Sequence, residues 1–288
     1  MFTLVVLSFH SQHLVENLVK NIPNNIPIII VENSKNIMLK TKLEDKFKNV
    51  QVLIPEENLG FSKGMNLGIQ KSKTDYVFLN PADVILDKKC IDDLLKCTKT
   101  FTNFTLLAPT YKDESIYKNY EVYSKKINEL NIPIVSEFGI KEVDFIDGTF
   151  IVNKKELNSN NLLDENIFIY FETMDLAKRL KKLGKKMYVC EKIKFEHLGN
   201  QSHDAKFNHV AKLSRNWHYC WSKFYYYNKN VNYLYALKKT LPFIVKTFFI
   251  CLKFKLMNKN IDYSLSRAEL NGSIASVLLR KSNYRPYS

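Results

Sequence analysis

Short apolar runs alternate with segments of helical spacing through the first eighty residues, and this alternation restricts the fold more than any other feature of the sequence. The runs have the β-branched composition of buried strands, and the segments between them repeat apolar residues at helical intervals. Strands that alternate with helices predict a mostly parallel α/β sheet with helices on its faces. The predicted elements are the strands Phe2–Leu7, Ile26–Val31, Val50–Ile54 and Tyr76–Leu79 and the helices Leu14–Lys20, Asn36–Phe47 and Phe61–Lys71.

Polar residues follow each of the four predicted strands at the point where the strand ends. In an open α/β sheet, ligands bind at the carboxyl ends of the strands. One such cluster alone is typical of an ordinary loop, but four clusters at one edge of a sheet predict a binding crevice. The clusters are Ser8-Phe9-His10, Glu32-Asn33-Ser34, Pro55-Glu56-Glu57-Asn58 and Asn80-Pro81-Ala82-Asp83.

The third cluster leads through a glycine-containing loop into the helix predicted at Phe61–Lys71. Gly60 and Gly64 allow the backbone to approach a ligand closely, and the helix N-terminus offers free N–H groups to a phosphate or a hydroxyl. The segment is not a P-loop, because no Gly-Lys-Ser/Thr follows at the required spacing. We therefore predict that Asn58 to Asn66 forms part of a phosphate- or sugar-binding site.

Asp83 and His197 are the candidate metal ligands. Asp83 follows the fourth predicted strand, and His197 follows a later predicted strand, Lys186–Val189. A carboxylate and an imidazole, with phosphate oxygens as the further ligands, suit Mg²⁺ or Mn²⁺. A lone histidine is more often structural, so this prediction depends on the two residues meeting in the fold.

A helix predicted at Glu172–Lys182 carries two acids in its first turn, Glu172 and Asp175, and is terminated by Gly184. Residues three apart project from neighbouring faces of that turn. Two interpretations stay open. The acids can stabilise the helix through its dipole, or one of them can remove a proton from an acceptor hydroxyl as it attacks a sugar.

Almost all of the net charge of +14 lies in the last part of the chain, where residues 205–288 contain 15 Lys and Arg against two acids. Val231–Met257 is an apolar helix candidate with Lys239, Lys246 and Lys253 on one face. Its longest charge-free stretch is shorter than the ~20 residues that span a bilayer. The pattern favours a helix in an anionic membrane interface. Packing on the rest of the protein and a solvated face are the alternatives, and no nucleic-acid partner is expected.

The cysteines show neither metal-ligand nor disulfide-framework spacing, which is typical of a reducing compartment. The apolar start of the chain has no basic region before it, so we interpret it as a buried first strand and not as a signal peptide. Together these features predict a cytoplasmic protein, peripheral on the inner face of the cytoplasmic membrane. The cysteines are Cys90, Cys97, Cys190, Cys220 and Cys251.

Eight segments now form a recognisable series along the chain: Val5–His10, Ile30–Ser34, Asn58–Asn66, Phe78–Asp83, Asp147–Val152, Leu163–Leu180, Glu196–Gly199 with Ser202, and Ser214–Lys229. The series resembles the family 2 glycosyltransferases, in particular the rhamnosyltransferase-like branch of bacterial cell-surface polysaccharide synthesis. Asn58–Asn66 is similar to that family's Asn-x-Gly-Phe-(small)-x-(small)-x-Asn. Glu196–Gly199 with Ser202 is similar to its terminal His-x-x-Gly-x-Ser. The resemblance reaches to about residue 230.

The resemblance implies a GT-A fold, an inverting single displacement and a divalent cation, Mn²⁺ or Mg²⁺, on the donor diphosphate. It implies that the donor site contains Ser8, Phe9, Glu32, Asn58, Gly60, Asn66, Asn80 and Asp83, that Asp147 and Gly148 bind the acceptor, and that Asp83 and His197 serve the metal.

Two positions depart from the family pattern. Ala82 stands between Asn80-Pro81 and Asp83, where the family has Asp directly after Asn-Pro. Thr173 stands where the family has its catalytic base, and a threonine hydroxyl cannot act as a base at neutral pH. Glu172, or else Asp175, is then the expected base.

We therefore predict a glycosyltransferase domain at residues 1–204 and a basic, aromatic, helical region at residues 205–288. The expected activity is that of a hexosyltransferase, which moves a sugar from a UDP- or dTDP-sugar to a glycan hydroxyl, free or lipid-linked. Ala108–Val143 is the predicted specificity region. The alternative is a degenerate, non-catalytic nucleotide- or glycan-binding partner of an active transferase. A nucleotidyltransferase is disfavoured, because Ser8-Phe9-His10-Ser11 is not a glycine-rich basic loop.

Overall fold

A computed structural model gives the fold of the chain over five stretches, residues 1–114, 118–123, 137–157, 162–198 and 205–285. Gly199 and Ser202 of the predicted terminal motif lie outside the described residues, as do parts of the predicted specificity region.

One half of the central sheet is parallel and consists of the four strands that the sequence predicts. In chain order, its strands and the helices that connect them are β1 Phe2–Ser8, α1 Gln12–Asn21, β2 Ile28–Glu32, α2 Ile37–Lys46, β3 Val50–Leu53, α3 Gly60–Lys71 and β4 Tyr76–Pro81. The strands lie in the order β3-β2-β1-β4, and Leu4 of β1 stands opposite Ile28 on one side and Phe78 on the other.

The other half of the sheet is mixed. The elements of this part of the chain are β5 Val84–Ile85, α4 Lys88–Thr100, β6 Leu106–Tyr111, β7 Tyr120–Glu121, β8 Ile140–Val143, β9 Phe145–Ile146, β10 Phe150–Asn153, α5 Glu172–Lys182 and β11 Met187–His197. The sheet continues from β4 in the order β10-β6-β11-β5, with β8 paired to β11, and α4 and α5 pack against this half. The strands β7 and β9 form a separate pair.

Apolar side chains fill both faces of the sheet, because successive residues of a strand point to opposite faces. Leu4 and Val6 of β1 belong to one cluster, and Val5 between them belongs to the other. On the second face, α3 lies so close to β1 that a Cβ at Gly64 or Gly68 would overlap the side chains of Leu7 and Val5. This close packing fixes the start of α3 at the carboxyl edge of the sheet.

The basic C-terminal region forms three helices, α6 (Asn208–Asn230), α7 (Tyr233–Leu256) and α8 (Asn260–Val277). The helix α8 packs against both α6 and α7. Its Gly272 touches the backbone of Trp217, where any Cβ would overlap the carbonyl. In the described part of the chain, no helix has the length and apolar character needed to cross a membrane.

The structure confirms the predicted α/β fold with a helical C-terminal region. The pattern at Phe145–Val152 predicts a strand interrupted at Asp147-Gly148, and it forms the two strands β9 and β10. Two details differ from the prediction. The strand predicted at Lys186–Val189 continues, with an irregularity after Cys190, to His197. The helix α8 was not predicted, because its buried side consists of small and polar residues such as Ser266 and Gly272, whereas the apolar Ile274 is exposed.

Candidate active site

A cavity of about 370 Å³ opens at the carboxyl ends of β1 and β4. This is the edge of the sheet where the sequence predicts the binding crevice. The structure brings eight predicted site residues together in its wall: Phe9, Asn58, Gly60, Asp83, Asp147, Gly148, Glu172 and His197.

Ser8 and Glu32, two predicted donor-site residues, lie beneath this wall and not in it. The Ser8 hydroxyl donates to Oε2 of Glu32 at 2.5 Å, and Oε1 of Glu32 accepts the backbone N–H of Ser34 at 2.8 Å. Both residues are buried. Their hydrogen-bonding groups are used to join the loops after β1 and β2, so these two residues shape the donor site from behind.

Asn66 and Asn80 are also absent from the cavity wall, although the sequence analysis assigns them to the donor site. The Asn66 amide donates to the carbonyl of Leu163 at 2.9 Å and accepts its N–H at 3.0 Å. The side-chain Oδ1 of Asn80 accepts a hydrogen bond from the Thr149 hydroxyl at 2.8 Å. Both are buried amides that tie distant segments together, and this structural use explains why they do not face a ligand.

The loop that enters α3 is held in one conformation by hydrogen bonds. Asn58 accepts the N–H of Gly60 at 2.9 Å, and Asn33 donates to the Gly60 carbonyl at 3.2 Å. Gly60 has a φ of +70°, and a Cβ there would overlap the ring of Phe168. Only glycine meets both conditions without strain. The loop therefore presents a fixed backbone surface to the cavity.

Asp83 and His197 meet as the sequence predicts. The antiparallel pairing of β5 with β11 places His197 opposite Val84, and Oδ2 of Asp83 lies 3.5 Å from Nε2 of His197. Ala82 is buried, and Asp83 reaches the cavity despite the intervening residue.

The Asp83–His197 pair fits a divalent cation that takes its remaining ligands from a diphosphate. One carboxylate oxygen and one imidazole nitrogen face each other there, and this donor set suits Mn²⁺. No group of three or more His, Cys, Asp or Glu side chains in the described residues could hold a metal ion without such added ligands.

Glu172 begins α5 at the back of the cavity. The chain reaches it through Tyr170 and Phe171, both with positive φ, which is a strained backbone for these residue types. Burial, and secondarily the charge of Asp147, raise the pKa of Glu172 to about 8. Its buried Oε2 has no hydrogen-bond partner among the described residues.

Asp175, the other predicted catalytic acid, lies outside the cavity wall. Its carboxylate is paired with Nε of Arg179 at 2.8 Å and with Nζ of Lys229 at 2.8 Å, and it accepts a hydrogen bond from Asn230 at 3.1 Å. The side chain is fully buried. These contacts join α5 to α6, so Asp175 holds the C-terminal helices to the rest of the protein and does not face a substrate.

Thr173, at the position where the resemblance places a base, is also in the wall. Its hydroxyl donates to Oδ1 of Asp147 at 2.8 Å. Thr173 therefore holds the carboxylate of Asp147, which lies between β9 and β10.

The helix α6 adds residues that the sequence analysis did not assign to the site. Ala211, Ser214 and Arg215 line the cavity. Burial raises the pKa of Tyr170, and the positive charge of the nearby Arg215 partly opposes this rise. Ser214-Arg215 was noticed as a motif, but a motif does not show which cavity a distant helix will reach. The region from residue 205 onward therefore contributes to the site as well as to the surface charge.

A second, larger cavity of about 660 Å³ lies on the other side of the loop before α3 and shares Phe168 with the first. Its wall includes Lys63, Trp221, Tyr225 and Arg280. Glu57, Leu59 and Lys63 of the predicted binding loop line it, but none of the residues predicted to bind the donor, the acceptor or the metal does. The chemistry of a carboxylate facing an imidazole belongs to the smaller cavity.

The sequence was compared with models of known protein families. The model of the family described as "Glycosyl transferase family 2" matches residues 5–162, which is more than half of the chain. A search of curated protein sequences finds no match.

Several solved structures share the fold at low sequence identity. A mannosyltransferase from Pyrobaculum calidifontis, in complex with GDP-mannose and Mn²⁺, is similar with a TM-score of 0.56 and 9% identity, over 97% of this chain and 88% of that one. Residues 1–349 of TarS from S. aureus give a TM-score of 0.52 and 13% identity, over 95% and 90%. GalNAc-T7 with UDP, GalNAc and Mn²⁺ gives 0.53 and 15%, over 78% of this chain and 50% of that one. At these identities the similarity demonstrates the fold alone.

Proposed function

The chain belongs to glycosyl transferase family 2 and is a glycosyltransferase, and we propose that it transfers a sugar from a UDP- or dTDP-sugar to a glycan hydroxyl with inversion at the anomeric carbon. The observation that carries the proposal is the approach of Asp83 to His197 in the cavity at the carboxyl edge of the sheet. A rhamnosyltransferase-like role in bacterial cell-surface polysaccharide synthesis is supported by the order of the sequence motifs.

The donor side of the cavity is built for a nucleoside diphosphate. Phe9 and Asn58 line it next to the fixed backbone of Gly60, and these residues bind and orient the nucleotide. Arg215 supplies a fixed positive charge to the diphosphate. Asp83 and His197 hold the divalent cation, Mn²⁺ or Mg²⁺. When bound, such a cation offsets the negative charge that grows on the leaving diphosphate.

The acceptor side lies between Asp147-Gly148 and Tyr170, whose positions leave room for a sugar hydroxyl beside the donor. Gly148 has a φ of +77°, and the nearest heavy atom to a Cβ there would be the Tyr111 hydroxyl at 3.9 Å. The glycine therefore keeps the floor of this side open. The acceptor itself is a glycan, either free or attached to a lipid diphosphate.

The test is release of nucleoside diphosphate from a panel of UDP-, dTDP- and GDP-sugars with Mn²⁺, with and without glycan acceptors. We expect the wild-type protein to consume at least one donor and the variants Asp83→Ala and His197→Ala to lose that activity. Asp92→Ala, an exposed carboxylate on α4, is the matched control and should keep it. Full activity in Asp83→Ala would contradict the assigned role.

Thr173 favours one alternative, a non-catalytic nucleotide- or glycan-binding partner of another transferase. Its hydroxyl stands where a base is expected and is engaged with Asp147. Saturable binding of a nucleotide sugar without any turnover over the same panel would support this alternative.

We also propose that α7 lies in the interface of an anionic membrane, with the protein peripheral on the cytoplasmic face. The side chains of α7 that face the protein are small, namely Ala236, Thr240 and Thr247. The protein therefore leaves the large apolar side chains of this helix uncovered.

Large apolar side chains occupy the opposite face of α7, with lysines along its edge. Lys239, Lys246 and Lys253 are seven residues apart and so share one side of the helix. A basic edge beside an apolar stripe complements an anionic lipid surface, in which the aromatic rings enter the interface and the lysines meet headgroups. The exposed apolar residues are Leu234, Leu241, Val245, Phe248, Phe249, Leu252 and Leu256.

Flotation of the full chain with vesicles tests this second proposal. We expect co-flotation with vesicles that contain phosphatidylglycerol and weaker co-flotation with pure phosphatidylcholine, because the lysines add an electrostatic contribution. Equal recovery in the absence and presence of anionic vesicles would contradict it.

A further inference from the structure

The contact between Asp147 and Thr173 suggests how the site works without a carboxylate at the expected position. Resting on the proposed transferase function, we propose that Asp147 is the base that deprotonates the acceptor hydroxyl and that Thr173 is the residue that positions it. In this proposal the base lies at the end of β9 and not in the first turn of α5. Thr173, which occupies the position expected for the base, orients Asp147.

The backbone holds Asp147 firmly at the edge of the cavity. It follows β9 directly, and its N–H donates to the carbonyl of Asn119 at 2.8 Å. Gly148 then turns the chain away with a φ of +77°. The Asp147 side chain is half-buried and lines the cavity, so its carboxylate can reach a substrate bound there.

Thr173 fixes the orientation of that carboxylate. The threonine is buried in the first turn of α5, and its hydroxyl proton is directed to Oδ1 of Asp147 at 2.8 Å. Thr173 therefore supplies the geometry that a base needs, although it cannot accept the proton itself.

The neighbouring acids are less suited to the task. Glu172 has a pKa of about 8, because burial opposes its ionisation, so it is mostly protonated at neutral pH, and its Oε2 is occluded. Asp175 is outside the cavity and paired with Arg179 and Lys229. Tyr111, the other titratable group that faces Asp147, has its pKa raised by burial and stays neutral. Asp147 is the carboxylate among these that both lines the cavity and is oriented by a hydroxyl donor.

In the proposed step, the acceptor O–H bond breaks, and its proton passes to a carboxylate oxygen of Asp147. The electron pair of the acceptor oxygen forms a bond to the anomeric carbon of the donor, and the bond from that carbon to the diphosphate oxygen breaks with its electrons on the oxygen. The products are the glycoside and the nucleoside diphosphate, and water replaces the acceptor in the slow hydrolysis of the donor.

The experiment measures nucleoside diphosphate release from the nucleotide sugar that the wild-type chain consumes fastest, with water as acceptor. The variants are Asp147→Asn, Thr173→Val, Thr173→Ser and Glu172→Gln. The matched control is Asp144→Asn, three residues away on the other side of β9, where the carboxylate pairs with Lys181 outside the cavity. Thermal melting and UDP binding report on folding and on the donor site of each variant.

We expect Asp147→Asn to lower kcat by about 100-fold or more with little change in KM for the donor, as loss of a base does. Thr173→Val should lower kcat about tenfold with little change in KM for the donor, because the carboxylate of Asp147 loses the hydrogen bond that orients it. Thr173→Ser keeps the hydroxyl and should restore kcat. Glu172→Gln should lose less activity than Asp147→Asn, and Asp144→Asn should stay close to the wild type.

Three results would overturn the assignment. A kcat for Asp147→Asn within about threefold of wild type would remove Asp147 as the base. A larger loss in Glu172→Gln than in Asp147→Asn would transfer the role to Glu172. A loss of kcat in Thr173→Ser equal to that in Thr173→Val would leave Thr173 without a positioning role, because serine keeps the hydroxyl. If the wild-type chain consumes no donor at all, the proposed function fails and this assignment fails with it.

Discussion

The guanidinium of Arg285 lies over the ring of Phe168, 3.7 Å from its centroid, and its Nε–H donates to the carbonyl of Asn58 at 3.2 Å. The end of the described chain thus supports the loop that enters α3. Because Phe168 also touches Gly60, the C-terminal segment and the donor side of the cavity share one packing unit.

Arg285→Ala should weaken the donor site from outside the cavity. The cation–π contact with Phe168 contributes about 1–2 kcal/mol when it is partly desolvated, so we expect a lower Tm and a Kd for UDP raised several-fold. Calorimetric titration of UDP with Mn²⁺ measures the second effect. Arg280→Ala, an exposed arginine in the same segment, is the control, and an equal loss in both variants would contradict a specific role for Arg285.

Gly60→Ala should be far more damaging than Gly184→Ala. Both glycines have positive φ, at +70° and +67°, so each alanine costs about 1–2 kcal/mol of backbone strain. At Gly60 the new Cβ also overlaps Phe168, whereas at Gly184 it meets nothing within 4 Å. Overpacking adds about 1–3 kcal/mol, and denaturant unfolding of the two variants measures the difference. Similar losses of unfolding free energy in both variants would show that the Phe168 ring can shift away from the new Cβ at little cost.

Glu172→Gln should stabilise the protein at alkaline pH. The pKa of Glu172 is about 8 in the fold and about 4.5 in the unfolded chain, so folding favours the neutral form. This contribution is complete below pH ~4.5 and is lost as the pH rises through about 8, at up to about 1.4 kcal/mol per pH unit.

Urea unfolding of wild type and Glu172→Gln at pH 5 and pH 8.5 measures how the difference in their free energies of unfolding changes with pH. The glutamine variant should gain on the wild type between the two values, while Glu56→Gln, an exposed control, should not. A gain at pH 5 that disappears at pH 8.5 would mean that the fold stabilises the ionised carboxylate instead.

Asp83→Asn and His197→Ala should each reduce the effect of Mn²⁺ on UDP binding. The two side chains supply the protein's ligands in the proposed site, and removal of either leaves the cation with the diphosphate and one side chain. Thermal shift with UDP, with and without Mn²⁺, measures this independently of turnover. An undiminished Mn²⁺-dependent shift in both variants would place the cation elsewhere.

Replacement of Phe248 and Phe249 by serine should weaken vesicle binding without lowering the Tm, because both rings are exposed. Exchange of Lys239, Lys246 and Lys253 for glutamine should weaken binding to anionic vesicles only, by about 1 kcal/mol for each lysine. Flotation measures both effects. Retained binding in the phenylalanine variant would contradict insertion of α7.

Several parts of this protein could be predicted from the sequence because their signals are local. The period of apolar residues fixed the strands from Phe2 to Leu79 and the helix that begins at Glu172, since each pattern depends on neighbours a few residues away. The same holds for Gly60, whose loop is recognisable from adjacent residues. Asp83 and His197 could be named as a pair because each follows a predicted strand.

Other assignments depended on the tertiary structure. Ser8, Glu32 and Asn80 lie at the ends of strands and Asn66 lies in α3. Their side chains bond to buried partners that the sequence does not indicate. A strand-end position shows that a residue is near the edge of a sheet, whereas packing decides whether it faces a ligand or the interior.

The sequence by itself determined the kind of sheet, the donor loop and the family pattern. Only the tertiary structure brought Thr173 to Asp147, Arg215 into the cavity wall and Asp175 to Lys229. Each of these contacts joins residues that lie 26 to 54 positions apart or on separate helices. Such contacts arise from the way whole elements pack, so no local pattern of residues specifies them.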